Sequence, residues 1–104
     1  MEINVTAQNF EKVVLQSERP VLIDFWATWC PPCRMLGPVV AAIAEERDDI
    51  LVCKVNSDEN QALCMKFGVS SIPALFLLKD GKVLDSSVGY RDKNALLRWI
   101  DSVI

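Results

Sequence analysis

Apolar residues follow two rhythms along this chain. Val21–Ala27, Ile50–Asn56 and Ala74–Lys79 are nearly unbroken apolar runs, whereas the stretches after the first two repeat their apolar residues every three or four positions. An unbroken run bounded by breakers reads as a strand covered on both faces; a three-to-four stripe reads as an amphipathic helix. Ile3 and Val5 suggest a short first strand. Thr6 or Asn9 then caps a helix carrying Phe10, Val13 and Val14 on one side, and Pro20 ends any continuation. From Pro32 to Arg47 the stripe is Leu36, Val39, Val40, Ile43 and Ala44, with Pro38 inside it as a predicted kink. Asp58–Phe67 is a shorter, weaker helix closed by Gly68. Asp80-Gly81 is a strong two-residue hairpin signal, so Lys82–Val88 should return antiparallel to Ala74–Lys79. Asp92 caps a last helix with Leu96, Leu97, Ile100, Val103 and Ile104 as its buried stripe. The order implies an α/β fold: a five-stranded mixed sheet, parallel in its first half and ending in a hairpin, with four helices on its two faces in three layers.

Length and charge narrow the field. At 104 residues and 51% apolar content the chain suits one domain, 1–104, with no linker or internal repeat. A net charge of −3 with no Lys/Arg cluster argues against nucleic acid or an anionic membrane surface as partner. No apolar run approaches the roughly 18 residues of a membrane span, and Met1-Glu2-Ile3-Asn4 has neither the charge nor the apolar core of a leader. A cytoplasmic location is therefore the expectation, and with no unusually apolar exposed stripe to suggest an obligate dimer, a monomeric state is too.

Two charges interrupt the apolar strands. Asp24 in the second strand should be partly protonated, paired, near a water path, or at an open edge, because an unpaired buried carboxylate is costly. If Lys54 lies on a parallel neighbouring strand it can share a face with Asp24, and the two are better explained as partners than as independent accidents.

The reactive chemistry sits in Trp29-Cys30-Pro31-Pro32-Cys33. Cysteines three apart at a strand-to-helix corner can join as a disulfide or stand as thiols. The positive end of the helix lowers the pKa of Cys30 and makes it the nucleophile, with Cys33, one turn deeper, as the resolving thiol. Cys53 and Cys64 are eleven positions apart and the chain has no His, which argues against a zinc site; both read as small core residues.

Taken together, Asp24-Phe25-Trp26-Ala27, Trp29-Cys30-x-Pro32-Cys33, Pro38, Lys54-Val55-Asn56, Ile72-Pro73, Asp80-Gly81 and Gly89 resemble the thioredoxin family over essentially the whole chain. The resemblance implies the thioredoxin fold and a protein-disulfide reductase: Cys30 attacks a substrate disulfide, Cys33 resolves the mixed disulfide, Asp24 takes up the Cys33 proton and Lys54 modulates it. It implies a cis Ile72–Pro73 bond and a substrate surface built from Trp29, Pro31, Pro32, Ile72, Pro73, Val88 and Gly89. It also implies disulfide-containing protein substrates, recharging by a flavoprotein reductase, and no cofactor or metal beyond the Cys30–Cys33 pair.

Three residues depart from the family pattern: Pro31 where Gly is usual, and Ser71 and Tyr90 beside the substrate surface. Cys-Pro-Pro-Cys resembles tryparedoxins, nucleoredoxins and some membrane-tethered reductases. Since neither proline has an N–H, the amides of Cys33 and Arg34 are the donors left to the Cys30 sulfur. Loss of a donor and a stiffer turn both favour the disulfide, so the expected potential is at or below ~ −270 mV. The competing readings are an oxidase or isomerase, which needs donors that Pro-Pro does not offer, and a redox-silent scaffold, which does not need both cysteines and Asp24.

Overall fold

Five strands form one sheet in the computed structural model, which describes residues 1–104: β1 (Glu2–Asn4), β2 (Val21–Trp26), β3 (Leu51–Asn56), β4 (Ala74–Lys79) and β5 (Lys82–Val88). Their order across the sheet is β1-β3-β2-β4-β5. β1 and β2 run parallel to β3, and β4 runs antiparallel to both β2 and β5. Three α-helices cover it: α1 (Pro31–Glu46), α2 (Gln61–Phe67) and α3 (Lys93–Val103). The expected mixed sheet, half parallel and ending in a hairpin, is the one present.

Because side chains alternate across a strand, β2 feeds two cores. Val21, Ile23 and Phe25 join Cys53, Val55, Phe10, Val14 and Leu63 on one face. Leu22 joins Val52, Leu75 and Leu77 on the other, beneath Leu36, Val40 and Ile43 of α1 and Leu96 and Ile100 of α3. At roughly 1.5–3 kcal/mol for each large apolar side chain buried, this double cover is what makes β2 a rigid floor. Its carboxyl end delivers the chain to the start of α1.

The hairpin turn is Asp80-Gly81, with φ of 53° and 77°. Positive φ at both central residues is the type I′ geometry that Asp-Gly favours. Gly68 closes α2 at φ 67°, accepting the left-handed step that a side chain would strain. Asp92 caps α3, its carboxylate accepting the Ala95 N–H at 2.8 Å.

Three expectations need correction. The first helix is a single wide turn, Glu11–Leu15, closed by a Gln16 N–H to Glu11 C=O bond. Asn9 does not cap it; its side chain accepts from the Thr6 N–H and donates to the Asn4 carbonyl, tying the segment back to β1. Second, Ile104 follows the last turn of α3 and is exposed. Trp99 takes up packing there instead, and its indole N–H donates to Asp85 on β5 at 2.9 Å. Third, α1 begins at Pro31, one residue earlier than the stripe suggested, and carries Pro38 inside it. No helix is long and apolar enough to cross a membrane.

Candidate functional site

Cys30 stands at the N-cap of α1, with extended backbone (φ −96°, ψ 108°) and its sulfur accepting the Cys33 N–H at 3.3 Å. Pro31 and Pro32 fill the first two helical positions, where a missing N–H leaves no intrahelical bond unmade. This geometry brings the cysteines together: Cys30 and Cys33 are joined as a disulfide, with Cα atoms 5.2 Å apart. The Arg34 N–H goes to the Cys30 carbonyl at 3.2 Å. Of the two backbone donors expected at the sulfur, only that of Cys33 serves it.

The pair is sheltered. Cys30 and Cys33 are 3% and 4% exposed and pack with Ala27, Trp26 and Ile72. The Ile72 carbonyl lies 3.8 Å from the Cys30 sulfur and can accept from the thiol once the pair is reduced. The Ile72–Pro73 bond is cis, and the Pro73 carbonyl accepts the Gly89 N–H at 2.8 Å. One end of β4 and one end of β5 are thereby held beside the disulfide.

Around this centre the residues expected to meet substrate separate by exposure. Trp29 is 64% exposed, and Pro31, Pro32 and Val88 are also open to solvent. Ile72 and Gly89 are half-buried, and Pro73 is buried. Ser71 and Tyr90 are exposed at the margin. Trp29 does not hang free: its indole N–H donates to Asp58 at 2.9 Å, and Asp58 is itself held by a 3.0 Å bond from its N–H to the Asn56 side chain. Periodicity carries no trace of this link across 29 positions. The clue in the sequence was an acid placed just after a strand end, where a loop can face its neighbour.

Asp24 is 1% exposed, and neither carboxylate oxygen has a hydrogen-bond partner. Burial pushes its pKa up to about 7, against the opposing pull of Lys54, while the charge of Glu2 pushes it further in the same upward direction. Asp24 and Lys54 are register partners in the parallel β2–β3 pair, so they do share a face. They do not form the expected ion pair. The Lys54 ammonium lies 5.1 Å from the Trp26 ring centroid, close enough for cation–π attraction. It also borders a polar cavity of about 260 Å³ with Asn4, Asn56 and Glu59. A charge held near but not on the carboxylate leaves Asp24 able to take and release a proton near neutrality.

Cys53 and Cys64 stay outside this arrangement as free thiols. Cys53 is buried on the opposite face of the sheet, and burial raises its pKa to about 12. Cys64 is half-buried with its sulfur 3.7 Å from the Ser57 carbonyl. No group of three or more Cys, Asp or Glu side chains is positioned to hold a metal ion.

Comparison with known proteins agrees with this geometry. The family model described as Thioredoxin matches residues 2–102. A curated thioredoxin of Rickettsia bellii is 46% identical over 105 residues, covering 100% of both chains. The thioredoxin of Streptomyces clavuligerus is 50% identical over 95 residues, covering 91% of this chain and 89% of its own. Thioredoxin 1 of Synechococcus elongatus is 47% identical over 98 residues, covering 93% and 92%.

Proposed function

Given that this chain belongs to the thioredoxin family and is a thiol–disulfide oxidoreductase, we propose that it works as a protein-disulfide reductase whose whole length, 1–104, is one thioredoxin domain. The observation that carries the reading is the Cys30–Cys33 disulfide at the start of α1, with a buried, unpaired Asp24 on the sheet face that α1 covers.

In the reduced protein the Cys30 thiolate attacks one sulfur of a substrate disulfide. A mixed disulfide forms and the first substrate thiolate leaves. Asp24 accepts the Cys33 proton, directly or through water, and the Cys33 thiolate attacks the Cys30 sulfur. The Cys30–Cys33 bond forms, the second substrate thiolate leaves, and two electrons have passed to the substrate. An acceptor titrating near 7 is matched to this step, because it is ionised often enough to act and basic enough to hold the proton. Lys54 sets how often.

Trp29, Pro31, Pro32 and Val88 offer the open apolar rim of the substrate surface, and Ile72, Pro73 and Gly89 its seat. The Ile72 backbone beside the Cys30 sulfur suits an extended substrate segment, which would pair with it as an added strand. The substrates are disulfide-containing proteins, the electron donor is a flavoprotein thioredoxin reductase, and the resident redox group is the disulfide itself, with no metal or dissociable cofactor. The protein works as a cytoplasmic monomer, in keeping with a reducing compartment and with an acidic chain unsuited to nucleic acid or anionic membrane.

Reduction of insulin disulfides by dithiothreitol tests the assignment. The wild-type protein should accelerate precipitation of the reduced chains, and Cys33→Ser should lower turnover by at least about 100-fold while accumulating the Cys30 mixed disulfide. Equal activity in the two proteins would remove the resolving role and the mechanism with it.

Cys-Pro-Pro-Cys makes this a reducing member of its family. With the Arg34 amide engaged elsewhere and no N–H on Pro31, the Cys30 thiolate has a single backbone donor. Pro31→Gly restores a donor and loosens the turn. If the thiolate gains about one pKa unit, the potential rises by about 30 mV in a glutathione-referenced titration. A wild-type value above about −230 mV would contradict the reading.

A further inference from the structure

At the far end of the sheet from the disulfide, a groove of about 400 Å³ opens between the Glu11–Leu15 turn, the end of α2 and the β4–β5 hairpin. Phe10, Phe67 and Phe76 line it, and Leu15 and Val83 form its lips. The three rings already stack edge to face, with centroids 5.7 Å apart for Phe10–Phe67 and 5.0 Å for Phe67–Phe76. Val83 is 51% exposed, so apolar surface is left uncovered where the groove meets solvent.

One charged side chain lines the groove. The Lys66 ammonium sits 5.7 Å from the Phe10 ring centroid and forms none of the ion pairs in the molecule. A cation over an aromatic wall, with no carboxylate to neutralise it, selects an anion whose body is apolar. Ring-lined walls favour an aromatic body, because a further ring extends the edge-to-face contacts already present.

We propose that this groove is a second binding site, for small aromatic anions, with the ring system against Phe10, Phe67 and Phe76 and the anionic end at Lys66. It is separate from the redox centre. The disulfide adjoins Pro73, at the opposite end of β4 from the hairpin, and six residues of strand put roughly 17 Å between the two ends. The site therefore leaves disulfide exchange free to proceed while it is filled.

Titration of the full-length oxidised protein with 8-anilinonaphthalene-1-sulfonate tests this, using N-phenyl-1-naphthylamine as the uncharged counterpart. The sulfonate should bind saturably at one site and shift the backbone amide resonances of Phe67, Gly81 and Val83 while leaving those of Trp29 and Gly89 in place. Val83→Asp should weaken it about tenfold, by placing a like charge and a hydrated group at the lip. Lys66→Gln should weaken the sulfonate about threefold and leave the neutral amine unchanged. Both positions face solvent, so far-UV circular dichroism should match the wild type. Should Val83→Asp unfold, the Lys66→Gln pair of titrations decides alone. Absence of saturable binding, shifts centred on Trp29 and Gly89, or equal loss of both probes in Lys66→Gln would each overturn the proposal.

Discussion

Each face of the central sheet buries a titratable group, with chemically opposite results. On one, Cys53 lies among Ile23, Phe25 and Val55, and its thiol is pushed up to about 12, where it stays protonated and inert. On the other, one residue along each strand, Asp24 and Lys54 stand side by side, and the carboxyl is held at about 7. Burial raises both groups. The difference is that a thiol tolerates an apolar site in its neutral form, whereas a carboxyl near a distant cation is caught between two protonation states. A single step in register separates an inert thiol from a carboxyl poised near neutrality.

The comparison breaks most readily on the inert face. Phe25 is fully buried and meets both Phe67 and Phe76. Phe25→Ala should cost about 3–5 kcal/mol in urea unfolding, with surviving folded protein keeping its redox chemistry. A loss below about 1 kcal/mol would mean that this face is not the structural one.

On the reactive face the sign reverses. The folded-state pKa of Asp24 lies above the ordinary carboxyl value of 3.8, so the folded protein binds the proton more tightly than the unfolded chain. Its contribution to stability is full below about 4 and is lost progressively as pH rises towards 7. Asp24→Asn should therefore leave stability at pH 4 little changed and raise it at pH 8 by about 4 kcal/mol. That figure is the linkage of a shift from 3.8 to about 7; the buried amide and the buried neutral carboxyl cost about the same at either pH, so they cancel. The same variant should slow insulin reduction. Urea midpoints across pH 4–8 that run parallel in the two proteins would refute the assignment.

The smallest effect sharpens the electrostatics. Glu2 pairs in register with Val52, two residues from Lys54, and one of its carboxylate oxygens is buried without a partner. Its negative charge pushes the Asp24 pKa upward. Glu2→Gln should lower that pKa by a fraction of a unit, read from the Asp24 carboxyl carbon shift during titration. An unchanged midpoint would remove Glu2 from the field acting on Asp24.

Much of this was readable from the chain. Unbroken apolar runs gave away the covered strands, Asp80-Gly81 the hairpin, and the cysteine spacing the disulfide partners. Asp24 and Lys54 were visible as violations of the pattern, which is how a polar group in a dry layer announces itself. Hidden were the contacts that no period encodes. The Trp29–Asp58 bond joins two loops, the Lys54 ammonium prefers the Trp26 ring to the carboxylate, and Asn9 turns back to β1 instead of forward to a helix. Each depends on where a long side chain lands after the sheet has formed, and tertiary packing decides that.

The shelter around the Cys30 sulfur carries a consequence for traffic. A partner that laid its backbone along Ile72, as the proposed function has it, would bring its own sulfur into line with the recessed one, an alignment that a small thiol has to find by chance. On the proposed function, the recess therefore favours a handshake between macromolecules over exchange with the small solutes that share the same water.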